Sequence, residues 1–183
     1  MHEGRTGAAT INIVSMRERH HEATEEEIKE IYATKSQLFN QLPTAEEMPG
    51  AWDLLQQVKA CGLTPMVVTG SGQTSLLDRL NQHFPGMFQQ DLMVTAFDVK
   101  YGKPNPEPYL MALKKAGIQP NEAIVVENAP LGVQAGVGAG IFTVAVNTGP
   151  LPDEALLNEG ANLLFPSMAA FNEHWKCFYQ SVQ

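Results

Sequence analysis

The sequence predicts an α/β fold, a parallel sheet covered by helices on both faces and preceded by a purely helical stretch. Three observations carry this. Beyond residue 50, short apolar runs alternate with amphipathic helical stretches, the pattern of parallel strands joined by crossover helices. Before residue 45 the apolar spacing is helical only. With 44% hydrophobic and 17% charged residues in a chain of 183, a buried core is within reach and disorder is not expected.

Taken in order, Thr24-Glu25-Glu26-Glu27 has the form of a capping box. Ile28, Ile31, Tyr32, Leu38 and Phe39 follow as a broken apolar stripe. Pro43 and then Pro49-Gly50 punctuate the chain, and the boundary between a helical unit (1–45) and an α/β unit (46–183) falls between them. "GAWDLLQQVKACG" reads as an amphipathic helix stopped at Gly62. "TPMVVTG" is a strand, "QTSLLDRLNQHF" a helix and "DLMVTAF" a strand. "PEPYLMALKKAG" is a helix with proline in its first turn and glycine past its end. "EAIVVEN" is a strand, "PLGVQAGVGAG" a helix of small residues and "FTVAVNTG" a strand. "DEALLNEG", "NLLFP" and "SMAAFNEHWKCFYQSV" close the chain as helix, strand and helix.

The net charge of −8 argues against a nucleic-acid partner, which needs basic patches. No apolar run approaches the roughly 20 residues of a membrane span, and the first residues lack the pattern of a signal peptide. Cys61 and Cys177 form neither a disulfide framework nor a metal motif, so a reducing cytoplasm is the expected compartment. The five histidines form no metal-spaced pair.

In a parallel sheet, ligands bind beyond the carboxyl ends of the strands. After the first strand comes Thr69-Gly70-Ser71-Gly72, a hydroxyl and small residues that let backbone N–H groups approach an anion, or equally a plain glycine turn. It is not a Walker loop, and Ser75 stands where a dinucleotide fingerprint needs its third glycine. After the second strand come Asp98, Lys100 and Lys103, with prolines at 104, 106 and 108 stiffening the backbone around Lys103. A lysine held this stiffly at the ligand edge points to an anion, the alternative being a solvated lysine ahead of a helix start. After the third strand, Glu127-Asn128 offers a carboxylate and an amide oxygen suited to a hard cation, or a cap for the next helix.

Together, "VVTGSG", "YGKPNPEPY" and "VVENAPLGVQAGVGAG" resemble the second, third and fourth signatures of the haloacid dehalogenase-like (HAD) superfamily. The pattern is most similar to its β-phosphoglucomutase and phosphoglycolate-phosphatase branch, and residues 1–45 resemble the tail of that branch's helical cap. The resemblance implies a Rossmann-type HAD core and phosphoryl transfer on a small phosphorylated metabolite. In that chemistry one aspartate attacks the phosphoryl group and a second, two residues on, serves as acid and base. It implies that Thr69, Gly70 and Ser71 bind phosphate, that Lys103 meets the nucleophile and the phosphate, and that Glu127 and Asn128 hold Mg²⁺ directly or through water. In the cap loop, "EGRTGAA" resembles the substrate-facing loop of the glucose-phosphate mutases, which makes Gly4, Arg5 and Thr6 substrate candidates.

The chain departs from the pattern in one decisive way: no Asp-x-Asp pair occurs anywhere in it. Asp98 follows a strand, but Lys100 stands where the second aspartate belongs, so Asp98 is expected to be a local lysine partner or a cap. The expectation is an N-terminally truncated chain that lacks the family's central first strand, with Met1 an internal methionine, inactive and marginally stable alone. Asn128, where many relatives carry aspartate, weakens the expected Mg²⁺ site. The alternative is a non-catalytic, degenerate protein that binds phosphate weakly or serves a partner. A nucleotide-binding domain built on Thr69–Gly72 is a third reading.

Overall fold

The computed structural model describes residues 5–43, 45–72 and 74–182, with the backbone alone at 74–77. Two helices come first. α1 (Gly7–Arg19) starts at the Thr6 hydroxyl, which accepts from the Ala9 N–H, and ends at His20 in the left-handed region. α2 (Glu25–Gln41) begins with the expected capping box of Thr24 and Glu27. The pair is antiparallel: Gly7 lies against the Tyr32 ring at one end, and Arg19 pairs with Glu27 at the other. It is thinly packed. No residue of α2 is buried, and Ile13, Val14, Met16, Ile31 and Leu38 are exposed.

The α/β unit follows with α3 (Ala51–Ala60), α4 (Thr74–His83), α5 (Glu107–Ala116), β1 (Ile124–Glu127), α6 (Pro130–Gly138), β2 (Phe142–Val146), α7 (Glu154–Leu157), β3 (Leu163–Phe165) and α8 (Met168–Ser181). The sheet is parallel, ordered β1-β2-β3, with Val126 opposite Val144 and Val146 opposite Phe165. β2 is central, and alternate side chains serve two cores. Val144 and Val146 pack with Leu54 of α3 and with Phe171, Trp175 and Phe178 of α8. On the opposite face Ala145 meets Val133 of α6 and Leu156 of α7, while Val125 of β1 joins Tyr109 and Leu113 of α5. The small residues of α6 let it lie close to the sheet: a Cβ at Gly136 would press on Thr143 and Val125. Helices on both faces are the architecture the sequence predicts.

The first two expected strands are the exception. "TPMVVTG" and "DLMVTAF" meet only through one parallel bridge, Val68 with Val94. Thr69 N–H donates to Val94 O (2.8 Å) and Val94 N–H to Val67 O (2.9 Å). The second segment is shortened at both ends, by a 3₁₀ turn at Gln90–Leu92 and by Asp98, whose carboxylate takes the Thr95 N–H and hydroxyl and bends the chain. Among the described residues the pair forms no ladder with the sheet, although Val68 packs against the cluster of Tyr109 and Val125. Among the described residues β1 pairs with β2 alone, and Val126 is 42% exposed. Two short segments paired only with each other are at the margin of ladder formation.

Candidate functional site

The three stretches that follow the apolar runs converge on one cleft of about 600 Å³. Its lining includes Thr69, Gly70 and Ser71, Lys103, and Glu127 and Asn128, together with Arg5, Tyr32 and Lys35 from the N-terminal helical stretch. Thr69 closes its own turn by accepting the Ser71 N–H (3.1 Å), and the Gly72 N–H donates to the Tyr32 hydroxyl (3.4 Å), tying α2 to this loop.

Lys103 is 6% exposed. Its ammonium donates to Val68 O (3.0 Å) and to Glu127 Oε1, and lies over the Tyr109 ring at 4.9 Å from the centroid. Val67 and Thr69 use their backbone groups toward Val94, so Val68 O faces the opposite edge, where Lys103 takes it. Lys103 thus spans from the Val68 segment to the end of β1. Glu127 is saturated. Oε1 accepts from Lys103 and from the Tyr109 hydroxyl (2.6 Å), and Oε2 from the Asn128 (3.1 Å) and Ala129 (3.4 Å) N–H groups. Its carboxylate lies on Gly132 of α6, where any Cβ would collide with it. Burial pushes the Tyr109 phenol well above its ordinary value, and the Glu127 charge and hydrogen bond push the same way.

Glu127, which the resemblance assigns to the metal, is also the carboxylate to which Lys103 donates. Two expectations are revised. Asn128 does not cap α6: Ala129 holds the N-cap position without a side-chain bond, and the Asn128 amide donates to Thr148 Oγ1 (3.0 Å). Thr6 lies outside this cleft, its hydroxyl capping α1 and its methyl against Gly102, while Arg5 lines the cleft and Gly4 lies outside the described residues. Asp98 is a lysine partner, as expected. Burial pushes its carboxyl up, but the Lys115 hydrogen bond (2.8 Å), the Thr95 bonds and the Lys115 charge together hold it below the ordinary carboxylate value. Tyr109 and Lys35 were not singled out from sequence, and Tyr32 was read only as part of the apolar stripe of the helical stretch. Tyr109 stands within "YGKPNPEPY", where no spacing rule distinguishes its phenol from a packing residue.

The fit to Mg²⁺ is incomplete. Such a site needs near-octahedral oxygen ligation, commonly one or two carboxylates with water and substrate phosphate. The cleft supplies one fully hydrogen-bonded carboxylate and one amide oxygen, and among the described residues no three His, Cys, Asp or Glu gather into a metal-holding group. These residues alone do not make a magnesium centre.

Residues 3–146 match the family model of the haloacid dehalogenase-like hydrolases. The chain belongs to that family. Among curated HAD relatives, hexitol phosphatase A of Escherichia coli (strain K12) is 38% identical over 100 residues, covering 55% of this chain and 45% of its own. The phosphorylated carbohydrates phosphatase of Thermotoga maritima is 33% identical over 134 residues, 73% of this chain and 61% of its own. A solved structure titled "Putative beta-phosphoglucomutase from Bacteroides vulgatus" superposes with a TM-score of 0.95 at 70% identity, over 100% of this chain and 74% of its own. The chain therefore spans about half the length of the curated relatives it matches. No helix among the described residues is long and apolar enough to cross a membrane.

Proposed function

We propose that this chain carries the phosphate-binding and lysine-bearing part of a HAD phosphoryl-transfer site that acts on a small phosphorylated carbohydrate, as phosphatase or phosphomutase. The observation that carries the proposal is the convergence of Thr69–Ser71, Lys103 and Glu127–Asn128 on one cleft. The charge of that cleft supports it. In a chain of net charge −8, its lining holds Arg5, Lys35 and Lys103 against the single carboxylate of Glu127. A phosphate monoester suits such a pocket, because phosphoryl transfer is catalysed mainly by positioning and charge stabilisation.

In this reading the Thr69 hydroxyl and the turn it closes orient phosphate oxygens. Lys103, which uses two of its three N–H donors on Val68 O and Glu127, offers the third to the anion. Arg5, Tyr32 and Lys35 meet the rest of the substrate from the helical pair, which serves as a partial cap over 1–45 against the core of 46–183. Magnesium dependence is proposed on donor chemistry only, with Glu127 and Asn128 contributing one carboxylate and one amide to a shell that phosphate and a further carboxylate would fill. The cytoplasm is the compartment proposed, in keeping with two free cysteines.

The nucleophile is the missing part. Without an Asp-x-Asp pair the chain has no phospho-aspartate route, so alone it should bind phosphate esters without turning them over. The test is phosphate release from a panel of hexitol and sugar phosphates with Mg²⁺. No release by the chain is expected. Hydrolysis that Lys103→Met abolishes would overturn the claim that this chain has no nucleophile for the reaction. A chain that neither binds nor hydrolyses any phosphate ester would instead favour the non-catalytic reading.

A further inference from the structure

We propose that the chain holds a second oxyanion site, for a phosphate or carboxylate group, in a cavity of about 570 Å³ that borders the cleft at Arg5 and Lys103. It adjoins the phosphate site proposed above, but Lys100, Asn105 and Gln134 belong to it alone. Its lining gathers Arg5, Lys100 and Lys103 with the amides of Asn105 and Gln134, and it contains no carboxylate. In a chain of net charge −8, three cations without an acid mark a place for negative charge. Among the described residues neither Arg5 nor Lys100 pairs with a carboxylate. The Lys100 ammonium lies over the ring of Tyr101, 5.0 Å from its centroid. Arg5 Nε is withdrawn from solvent and has no hydrogen-bond partner among the described residues. A buried N–H without an acceptor is costly, and a bound oxyanion would supply one.

The donors are held in place before any ligand arrives. Glu107, which is not in the lining, takes the Lys100 and Tyr101 N–H groups (2.9 and 2.8 Å) and fastens the loop that carries Lys100. The Glu107 N–H donates to Asn105 Oδ1 (2.9 Å). That bond commits the amide oxygen and leaves the Asn105 NH₂ as the free end, a donor. Gly102 lets the same loop meet the start of α1, since a Cβ there would press on the Thr6 methyl (2.8 Å) and backbone N (3.0 Å). Arg5 and Lys100 are thereby brought to one cavity from opposite ends of the sequence. A site fixed in this way loses little freedom on binding, and charge-assisted bonds from lysine and arginine are the strong ones for an oxyanion. The oxyanion can come from two sources: a second acidic group on the ligand that fills the cleft, or a separate small anion.

The experiment is an NMR titration of the labelled chain and of Lys100→Met with inorganic phosphate, fructose 6-phosphate and fructose 1,6-bisphosphate. In the wild type, inorganic phosphate should shift and saturate the Asn105 side-chain amide, the Gly102 N–H and the Arg5 Nε–H. Lys100→Met should weaken that response roughly tenfold, the scale of one hydrogen bond to a charged group. The constants at Gly70 and Ser71 should change less than about twofold. If the second group belongs to the cleft's own ligand, the bisphosphate shifts both sets with one constant and binds about tenfold tighter than the monophosphate, a gain that Lys100→Met removes. If the anion is separate, the two esters bind alike at Gly70 and Ser71, and the Asn105 set follows a constant of its own. Either result upholds the site. Shifts at Gly70 and Ser71 that leave Asn105, Gly102 and Arg5 unmoved would overturn the inference and spare the phosphate site. So would an Asn105 response that Lys100→Met does not weaken. Shifts at neither set would remove the phosphate site and the inference together.

Discussion

Replacing Lys103 by methionine should cost the fold about 3 kcal/mol. The substitution keeps most of the stem, so packing changes little and the charge is the main loss. Both partners are withdrawn from solvent, with side chains 7% and 10% exposed. Breaking a buried pair by removing one member costs about 3–5 kcal/mol, because the other is left uncompensated. Here Glu127 keeps the Tyr109 hydroxyl and two backbone N–H groups, which places the effect at the low end. Val68 O loses its donor as well. The double variant Lys103→Met/Glu127→Gln removes the stranded charge and should recover more than half of the loss. Urea unfolding followed by far-UV circular dichroism measures this, with an unchanged m-value confirming that only stability moved. A loss below about 1 kcal/mol for Lys103→Met is what a solvent-exposed pair would give and would refute the burial argument, as would a double variant no more stable than the single one.

Gly132→Ala should destabilise by about 1–2 kcal/mol despite alanine's helix propensity, since its methyl would displace the Glu127 carboxylate; a gain in melting temperature would contradict the placement of Glu127. Asp98 has a depressed folded pKa, so its contribution is present above about pH 4 and lost as pH falls through the folded value; between pH 5 and pH 3 the wild type should lose stability more steeply than Asp98→Asn. Tyr109 has a raised folded pKa, so its contribution is present below about pH 10 and lost as pH rises further; Tyr109→Phe should flatten the alkaline limb of the stability profile.

Much of this was legible in the sequence because local rules govern it. The Thr24–Glu27 box, the turn after "KKAG" and the small-residue helix after Glu127 follow from capping, glycine and packing rules, and the structure has each. The order hydroxyl, lysine, carboxylate along the chain brought out three segments that line one cleft. What stayed hidden depends on contacts across the fold. "TPMVVTG" has strand composition, but a ladder needs a neighbour, and the segment has one bridge. The partner of Lys103 lies 24 residues away, and nothing in a spacing rule distinguishes Glu127 as its counter-ion from Glu127 as a metal ligand. Tyr109 acts through a hydroxyl aimed from α5 at the end of β1, which periodicity registers only as a core position.

The central claim is that Thr69–Ser71, Lys103 and Glu127–Asn128 form one anion site. The most direct test is a phosphate titration of the isotopically labelled chain followed by NMR. The account predicts that the backbone amide signals of Gly70, Ser71 and Asn128 and the Lys103 side-chain nitrogen shift together and saturate with one dissociation constant. Shifts that spare these positions, or that follow different constants at Ser71 and Lys103, would contradict it.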